Sequence, residues 1–482
     1  MAIEDVVRLA LERGYFFPTA EIYPRAPAGF WEYGPLGTQL KRKFVEAWLR
    51  EIVRRDEMLL IDGSQILPRD VFVASGHLET FADPISSCTR CNTIYRIDRL
   101  LEEHLGVKVP ERTPPEEIDA IIRVNNFRCP SCGGELSPVS LFNMMFGLRV
   151  GGAGEEAYLR PETCQNIFID FPRLYKISRR KLPIAFAQLG KSFRNEISPR
   201  QSLLRMREFT QAEVEVFFNP SKADDFEKFD VFRDYHLQIS IDGEDVRMTC
   251  GDAVGRGIVS SRLVGYYLGL IQSFYLKLGI PPERLRLRRL GEAEKAFYAR
   301  EGWDLEVLTS AGWVELVACN NRGDYDLSGH GRVSGADLTV TEDGVKVLPH
   351  IFELSMGVDR SILALLDIGY AEKGGRRILK MHPSLSPYTA AILPLLDRDE
   401  LVSKARQVYD MLRLDFDVFF DTSGSIGRRY RRQDEIGTPY CITIDFETLK
   451  DDTVTVRDRD TMGQERLPIT RLAEYISKAM RI

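Results

Sequence analysis

The 482-residue chain contains no run of about 18 apolar residues, so no membrane-spanning helix is expected. It has no internal repeat and no low-complexity tract, which argues against a repeat architecture. It also lacks a basic excess. The formal net charge is −6, against binding nucleic acid through bulk charge but compatible with local basic patches. The first thirteen residues alternate charged Glu4, Asp5, Arg8 and Glu12 with Val6, Val7 and Leu9. That pattern predicts an amphipathic helix, not a leader peptide, and makes the cytoplasm the default location.

What is present begins with 44% hydrophobic residues, enough for sizeable cores, in a chain long enough for two or three domains. There are eight cysteines, and in a chain of this size expected in the cytoplasm they are not read as a disulfide framework. Cys88/Cys91 and Cys129/Cys132 are two CxxC pairs 37 residues apart, spaced as in a closed tetrahedral zinc site; unmetallated cysteines are the alternative. Cys164, Cys250, Cys319 and Cys441 read as core residues.

Apolar residues every four positions predict a helix over 36–54, started by the Gly34-Pro35 turn. A charged, proline-bearing insertion runs from about Pro84 to Pro138. Strands are expected over 184–193, 207–218, 313–318 and 350–355, and helices over 258–278 and 362–368, an α+β design. Beyond Met381-His382-Pro383 the pattern alternates. Strands are expected at 392–396, 418–421 and 440–445, and helices at 401–412 and 468–479, making an α/β domain of about 100 residues.

Two segments carry unusual chemistry. In the strand from Arg207, alternation places Arg207, Phe209, Gln211, Glu213 and Glu215 on one face and Val214 and Val216 on the other. Such a face suits a site for a phosphate, a flat base and an ammonium group; a solvated sheet face with cross-strand ion pairs is the bland alternative. In His350–Arg360, Glu353 and Ser355 share a strand face, Gly357 permits the turn, and Arg360 enters the first turn of a helix. A cation there opposes the helix dipole at a cost of up to ~1 kcal/mol, which a triphosphate would offset.

These segments, with Tyr158-Leu-Arg160-Pro-Glu162-Thr163, resemble motifs 2 and 3 of class II aminoacyl-tRNA synthetases. The wording "FRNEIS…REFTQAE", "YLRPET", "SGHLETFADP", "WEYGPLG", "RGDYDL" and "GSIGRRYRRQDEIGTPYCITIDF" resembles the glycyl enzymes of the dimeric, archaeal and eukaryotic-like type, across nearly the whole chain. The resemblance implies an antiparallel-sheet catalytic domain over 1–383 with a four-cysteine zinc-binding insertion (84–140), and an α/β anticodon-binding domain over 384–482. It implies glycine activation with ATP and Mg²⁺, transfer to tRNA(Gly), and a homodimer built on the helix from Leu36.

By the same resemblance Arg194 would neutralise the α-phosphate, Glu196 would meet the adenine amine, Phe209 would stack on the base, and Arg360 would cover its other face. Arg205 and Arg207 would hold outer phosphates. Asn195, Leu204, Met206, Glu208, Glu315, Leu316 and Gly357 would complete the ATP site. Arg96, Glu162, Glu213, Glu353 and Ser355 would bind glycine. Arg428, Arg429, Arg431 and Arg432, by composition a solvated face, would contact the anticodon region.

Three features depart from the family pattern: Cys164 and Asn166 stand where small residues are expected, and the segment after Asn219 is short. The rival reading is a non-catalytic relative that binds nucleic acid, against which the intact set Arg194, Glu196, Phe209, Glu213, Glu353 and Arg360 argues. Threonyl or prolyl activity would need a catalytic zinc or an apolar ring pocket, and neither is visible in the sequence.

Overall fold

A computed structural model describes residues 3–110, 113–199, 202–292 and 294–481. Arg200, in the expected loop between the two motif strands, lies outside them.

The frame is a nine-stranded sheet of β1 (Leu59–Ile61), β2 (Ile184–Phe193), β3 (Glu208–Phe218), β4 (His236–Ile241), β5 (Glu244–Thr249), β6 (Leu285–Arg289), β7 (Glu301–Thr309), β8 (Gly312–Gly323) and β9 (His350–Gly357). Their spatial order is β5-β4-β6-β7-β8-β9-β3-β2-β1. All neighbours are antiparallel except β1/β2 and β4/β6. The four expected strands lie within this sheet, two of them longer than expected. β8 exceeds its expected span most, because its C-terminal half, "CNNRG", is polar and gives no strand signal.

One face of the sheet carries the main core. Val214 and Val216 point into it, with α1 (Ile3–Arg13), α2 (Pro35–Trp48), α4 (Arg262–Lys277) and α6 (Val358–Gly369) packed around them. α2 continues as a π-helical stretch over Leu49–Arg54, so the expected 36–54 helix changes its winding after Trp48. α3 (Cys164–Ser178) and α5 (Tyr325–Ser334) belong to a second cluster, in which Phe171 stacks on Phe217 at 4.1 Å.

The insertion has its own sheet (Ala82–Ser87, Ile94–Arg96, Ser140–Asn143) and two helices, Ile97–Leu105 and Pro115–Val124. These enclose a small core of Ile97, Leu100, Leu101, Ile118 and Val139.

The C-terminal part forms a separate five-stranded sheet. It contains β10 (Ala390–Pro394), α7 (Asp399–Leu412), β11 (Val418–Phe420), α8 (Ile426–Glu435), β12 (Tyr440–Ile444), β13 (Thr453–Asp458), β14 (Gln464–Pro468) and α9 (Leu472–Ala479). β10, β11 and β12 pair in parallel, and β13 and β14 add an antiparallel edge that the sequence reading did not foresee. The expected helix over 468–479 starts later, because Pro468 ends β14 and Ile469–Arg471 form a 3₁₀ turn. Polar bonds tie this part to the first. Buried Lys43 on α2 donates to the carbonyls of Ser386 (2.6 Å) and Pro387, and lies 3.1 Å from Asp417.

Candidate active site

The face of β3 opposite the valines carries Glu213 and Glu215, both fully buried. In register, Gln188 of β2 lies opposite Glu213, and on the other side Ser355 and Glu353 of β9 lie opposite Glu213 and Glu215. Polar groups gather here because β3 is central and alternates strictly, so neighbouring strands must answer its carboxylates. Ser355 Oγ (2.7 Å), Gln211 Nε2 (3.1 Å) and the Thr163 hydroxyl all donate to Glu213. Asn320 Nδ2 and Arg322 each donate to Glu353 at 2.9 Å.

Arg322 is the residue that single-position reading missed. It is fully buried, donates twice to Asp326 (2.6 and 2.8 Å), and lies 3.8 Å from the Tyr298 ring centre. The only sequence signal was its place in "RGDYDL".

Glu162 completes the group, 3.3 Å from Arg194 and 3.5 Å from His77 Nε2. Burial opposes its charge, but His77, Arg194 and Arg322 outweigh burial and hold its carboxyl below the usual range. Glu213 shifts the other way, raised by burial and by the Glu162 charge. Burial also lifts Glu353 to about 7, against Arg322 and with the help of Glu162 and Glu213. Three carboxylates that feel one another, two of them raised, make a site that an added cation stabilises.

The flanking arm holds the other expected residues. The Arg194 guanidinium lies 5.3 Å from the Phe209 ring centre and 5.4 Å from that of Phe81. Its backbone N–H donates to Arg207 O, and that of Asn195 donates to Met144 O. Glu196 accepts from Arg205 at 2.7 Å. Arg207 donates to the carbonyls of Glu196 and Ala28, and Lys191 bridges to Glu208.

Arg360 is the third residue of α6, after the Gly357 N-cap, as expected. Its charge is met by Glu315 Oε1 (3.2 Å) and the carbonyls of Leu204 and Glu315. Asp359 beside it anchors the helix start, accepting from Tyr33 (2.5 Å), Lys41 (3.2 Å) and Thr210 N (2.5 Å). Leu316 and Met206, expected at the ATP site, have side chains buried in the main core.

Arg96, expected to bind glycine, has carboxylate partners of its own. It bonds Asp83 (3.0 Å) and Asp98 and lies within reach of the Glu196 charge. Of the C-terminal arginines, Arg428 and Arg431 are exposed and Arg432 pairs with Asp421. Arg429 departs from the solvated-face reading: it is buried and caps the carbonyls of Pro394, Leu395 and Asp421.

The departures find physical partners. Asn166 Oδ1 accepts from Arg160 at 3.0 Å, and Arg160 also bonds the carbonyls of Gly63 and Lys191. Cys164 lies buried with its thiol 3.5 Å from Glu162.

The four cysteines of the insertion converge, one sulfur of each within 4.8 Å of the others. Cys88 and Cys132 are 3.4 Å apart, and Cys91 and Cys129 3.7 Å. Backbone N–H groups of Arg90 and Cys91 point at the Cys88 sulfur. Four thiols so gathered fit a tetrahedral Zn²⁺ with no open position.

The chain matches two family profiles: "tRNA synthetase class II core domain (G, H, P, S and T)" over 150–252, and "Anticodon binding domain" over 389–479. Among solved structures, a threonyl-tRNA synthetase RNA-binding domain from Cryptosporidium parvum shares the fold at TM-score 0.61 and 20% identity, covering 98% of each chain. Prolyl-tRNA synthetase from the same organism matches at TM-score 0.60 and 13% identity, over 98% of this chain and 74% of that one. Three similar relatives are each named glycine–tRNA ligase. That of Methanothrix thermoacetophila is 39% identical, covering 99% of this chain and 97% of its own. That of Thermococcus gammatolerans is 38% identical (98% and 96%), and that of Methanocaldococcus jannaschii 35% identical (99% of both). The first alignment spans 562 positions, so that relative carries segments this 482-residue chain lacks. With end-to-end identity at this level joined to a class II core and an anticodon-binding domain, the chain belongs to the glycine–tRNA ligase family.

Proposed function

We propose that the protein activates glycine with ATP and transfers it to tRNA(Gly), with the ammonium seated on Glu162, Glu213, Glu353 and Ser355. One observation carries the pocket assignment. Glu213 is buried with three hydrogen-bond donors but makes no ion pair among the described residues. Burying a charge without a partner is costly, and a substrate ammonium supplies the partner. The reading requires walls that exclude anything beyond a hydrogen side chain. Rejection of alanine rests on their rigidity, because one methyl is a handle of only ~1–3 kcal/mol.

Arg194 then faces the α-phosphate as the glycine carboxylate attacks it, and Phe209 takes the adenine. Arg360 lies across the base and turns from Glu315 to the outer phosphates. Arg205 and Arg207 flank that end, and Glu196 reads the base edge. Such a displacement needs positioning and charge stabilisation, not a nucleophilic side chain. Glu315, with Asp304 within its field, would hold Mg²⁺. That ion would neutralise the pyrophosphate leaving group. The insertion cysteines hold a structural zinc. Residues 384–482, with Arg428 and Arg431 exposed on α8, bind the anticodon region. α2 supports a homodimer, and the reading places the protein in the cytoplasm.

ATP–pyrophosphate exchange tests the reading, run with each of the twenty amino acids and no tRNA. Exchange with glycine alone is expected; exchange with none, from folded zinc-loaded protein, returns the non-catalytic alternative or an enzyme that needs tRNA to activate.

A further inference from the structure

We propose that Cys164, Glu213 and Glu215 form a second, interior metal site for a thiophilic divalent cation such as zinc. It lies beneath the glycine pocket and shares Glu213 with it. One ligand atom from each residue lies within 4.8 Å of those from the other two, and all three residues are buried. Cys164 opens α3 just after the Glu162-Thr163 pair, while Glu213 and Glu215 stand two apart on β3, so the strand turns both to one face.

An independent observation points to a ligand. Both carboxylate oxygens of Glu215 lack a hydrogen-bond partner among the described residues, and the side chain is fully buried. Gln188, opposite Glu213 in register, is equally buried, and among the same residues neither its amide nitrogen nor its oxygen is bonded. Each bare buried polar group costs roughly 1–3 kcal/mol, more when charged.

The nearby cation does not fill the gap. Arg322 lies within electrostatic reach of Glu215, but it directs its guanidinium hydrogen bonds to Asp326 and Glu353. The bare acceptors among the described residues are the two Glu215 oxygens and the Gln188 oxygen, and a buried water brings only two donors to these three. A divalent ion answers all of them. The thiolate selects zinc, cadmium or cobalt over magnesium or calcium, and zinc accepts mixed sulfur and carboxylate ligands. On binding, the ion displaces the thiol proton. Gln188, opposite Glu213 in register and unbonded among the described residues, is the candidate fourth ligand.

One consequence rests on the role given to Glu213 above. An ion drawing on Glu213 withdraws it from the glycine ammonium, so such metals compete with glycine but not with ATP.

The test compares wild type with Cys164→Ala and Glu215→Gln. Each protein is equilibrated with zinc, desalted, and analysed for zinc per chain. The insertion cysteines are untouched in all three, so wild type is expected to hold one more zinc than either variant. Equal zinc content in all three folded proteins overturns the site. Zinc inhibition of glycine-dependent exchange is measured alongside. Cys164→Ala is expected to raise the half-inhibiting zinc concentration by at least about tenfold. A difference in zinc content without competition against glycine would uphold the metal site and overturn the ammonium role of Glu213. Should exchange fail altogether, zinc content still decides the metal site.

Discussion

Glu213 and Glu353 both belong to the proposed ammonium clamp, and they are held differently. Glu213 has only neutral donors, whereas Glu353 is held by Arg322 and Asn320. Glu213→Ala is therefore expected to raise the glycine KM far more than the ATP KM, and equal loss for both would remove Glu213 from the ammonium. For Glu353 the prediction concerns pH. Its carboxyl rises from an ordinary 4.5 to about 7 in the fold, so between those values the folded state holds a proton that the unfolded chain has released. Stability should thus fall as pH climbs from about 4.5 to 7 and level off above. Glu353→Gln, which does not titrate, should flatten that part of a denaturation-against-pH series. The glycine KM of the wild type should improve over the same interval, since the ammonium needs the ionised form.

At the scale of elements, strands with a clean two-residue period were legible, and so was the resemblance that assigned their residues. Less visible were elements defined by their neighbours. The second half of β8 is polar because its Asn320 and Arg322 serve Glu353, so its hydropathy resembles a loop. Likewise α8, with "GRRYRRQDE", resembles a solvated basic run, yet Arg429 is buried against three carbonyls. Arg429→Ala should accordingly lower the melting temperature, leaving those acceptors bare at roughly 1–3 kcal/mol each. Arg428→Ala with Arg431→Ala should instead spare stability and exchange while weakening tRNA charging, a loss that is greatest at low salt and narrows as salt is added. The insertion was read as a module from its cysteine pairs and its charged, proline-bearing middle. Its helices were not foreseen, because its core is only a handful of residues. A chelator is expected to make 84–140 protease-sensitive while the nine-stranded sheet keeps its protection, as limited proteolysis would reveal.

At the scale of the whole molecule, α2 reaches in two directions within one turn. Lys43 grips the start of the C-terminal part at Ser386, Pro387 and Asp417. Lys41, two residues earlier, grips Thr210 of β3 and Asp359 at the head of α6, next to Arg360. The helix is thus a lever arm with a handle at each domain. A displacement of the far sheet is expected to reach the residue beside Arg360, and by thermodynamic reciprocity ATP binding would then be felt at the far sheet. Breaking the handle with Lys43→Met should leave exchange intact yet erase any change in ATP affinity that tRNA causes, turning one coupled machine into two independent halves.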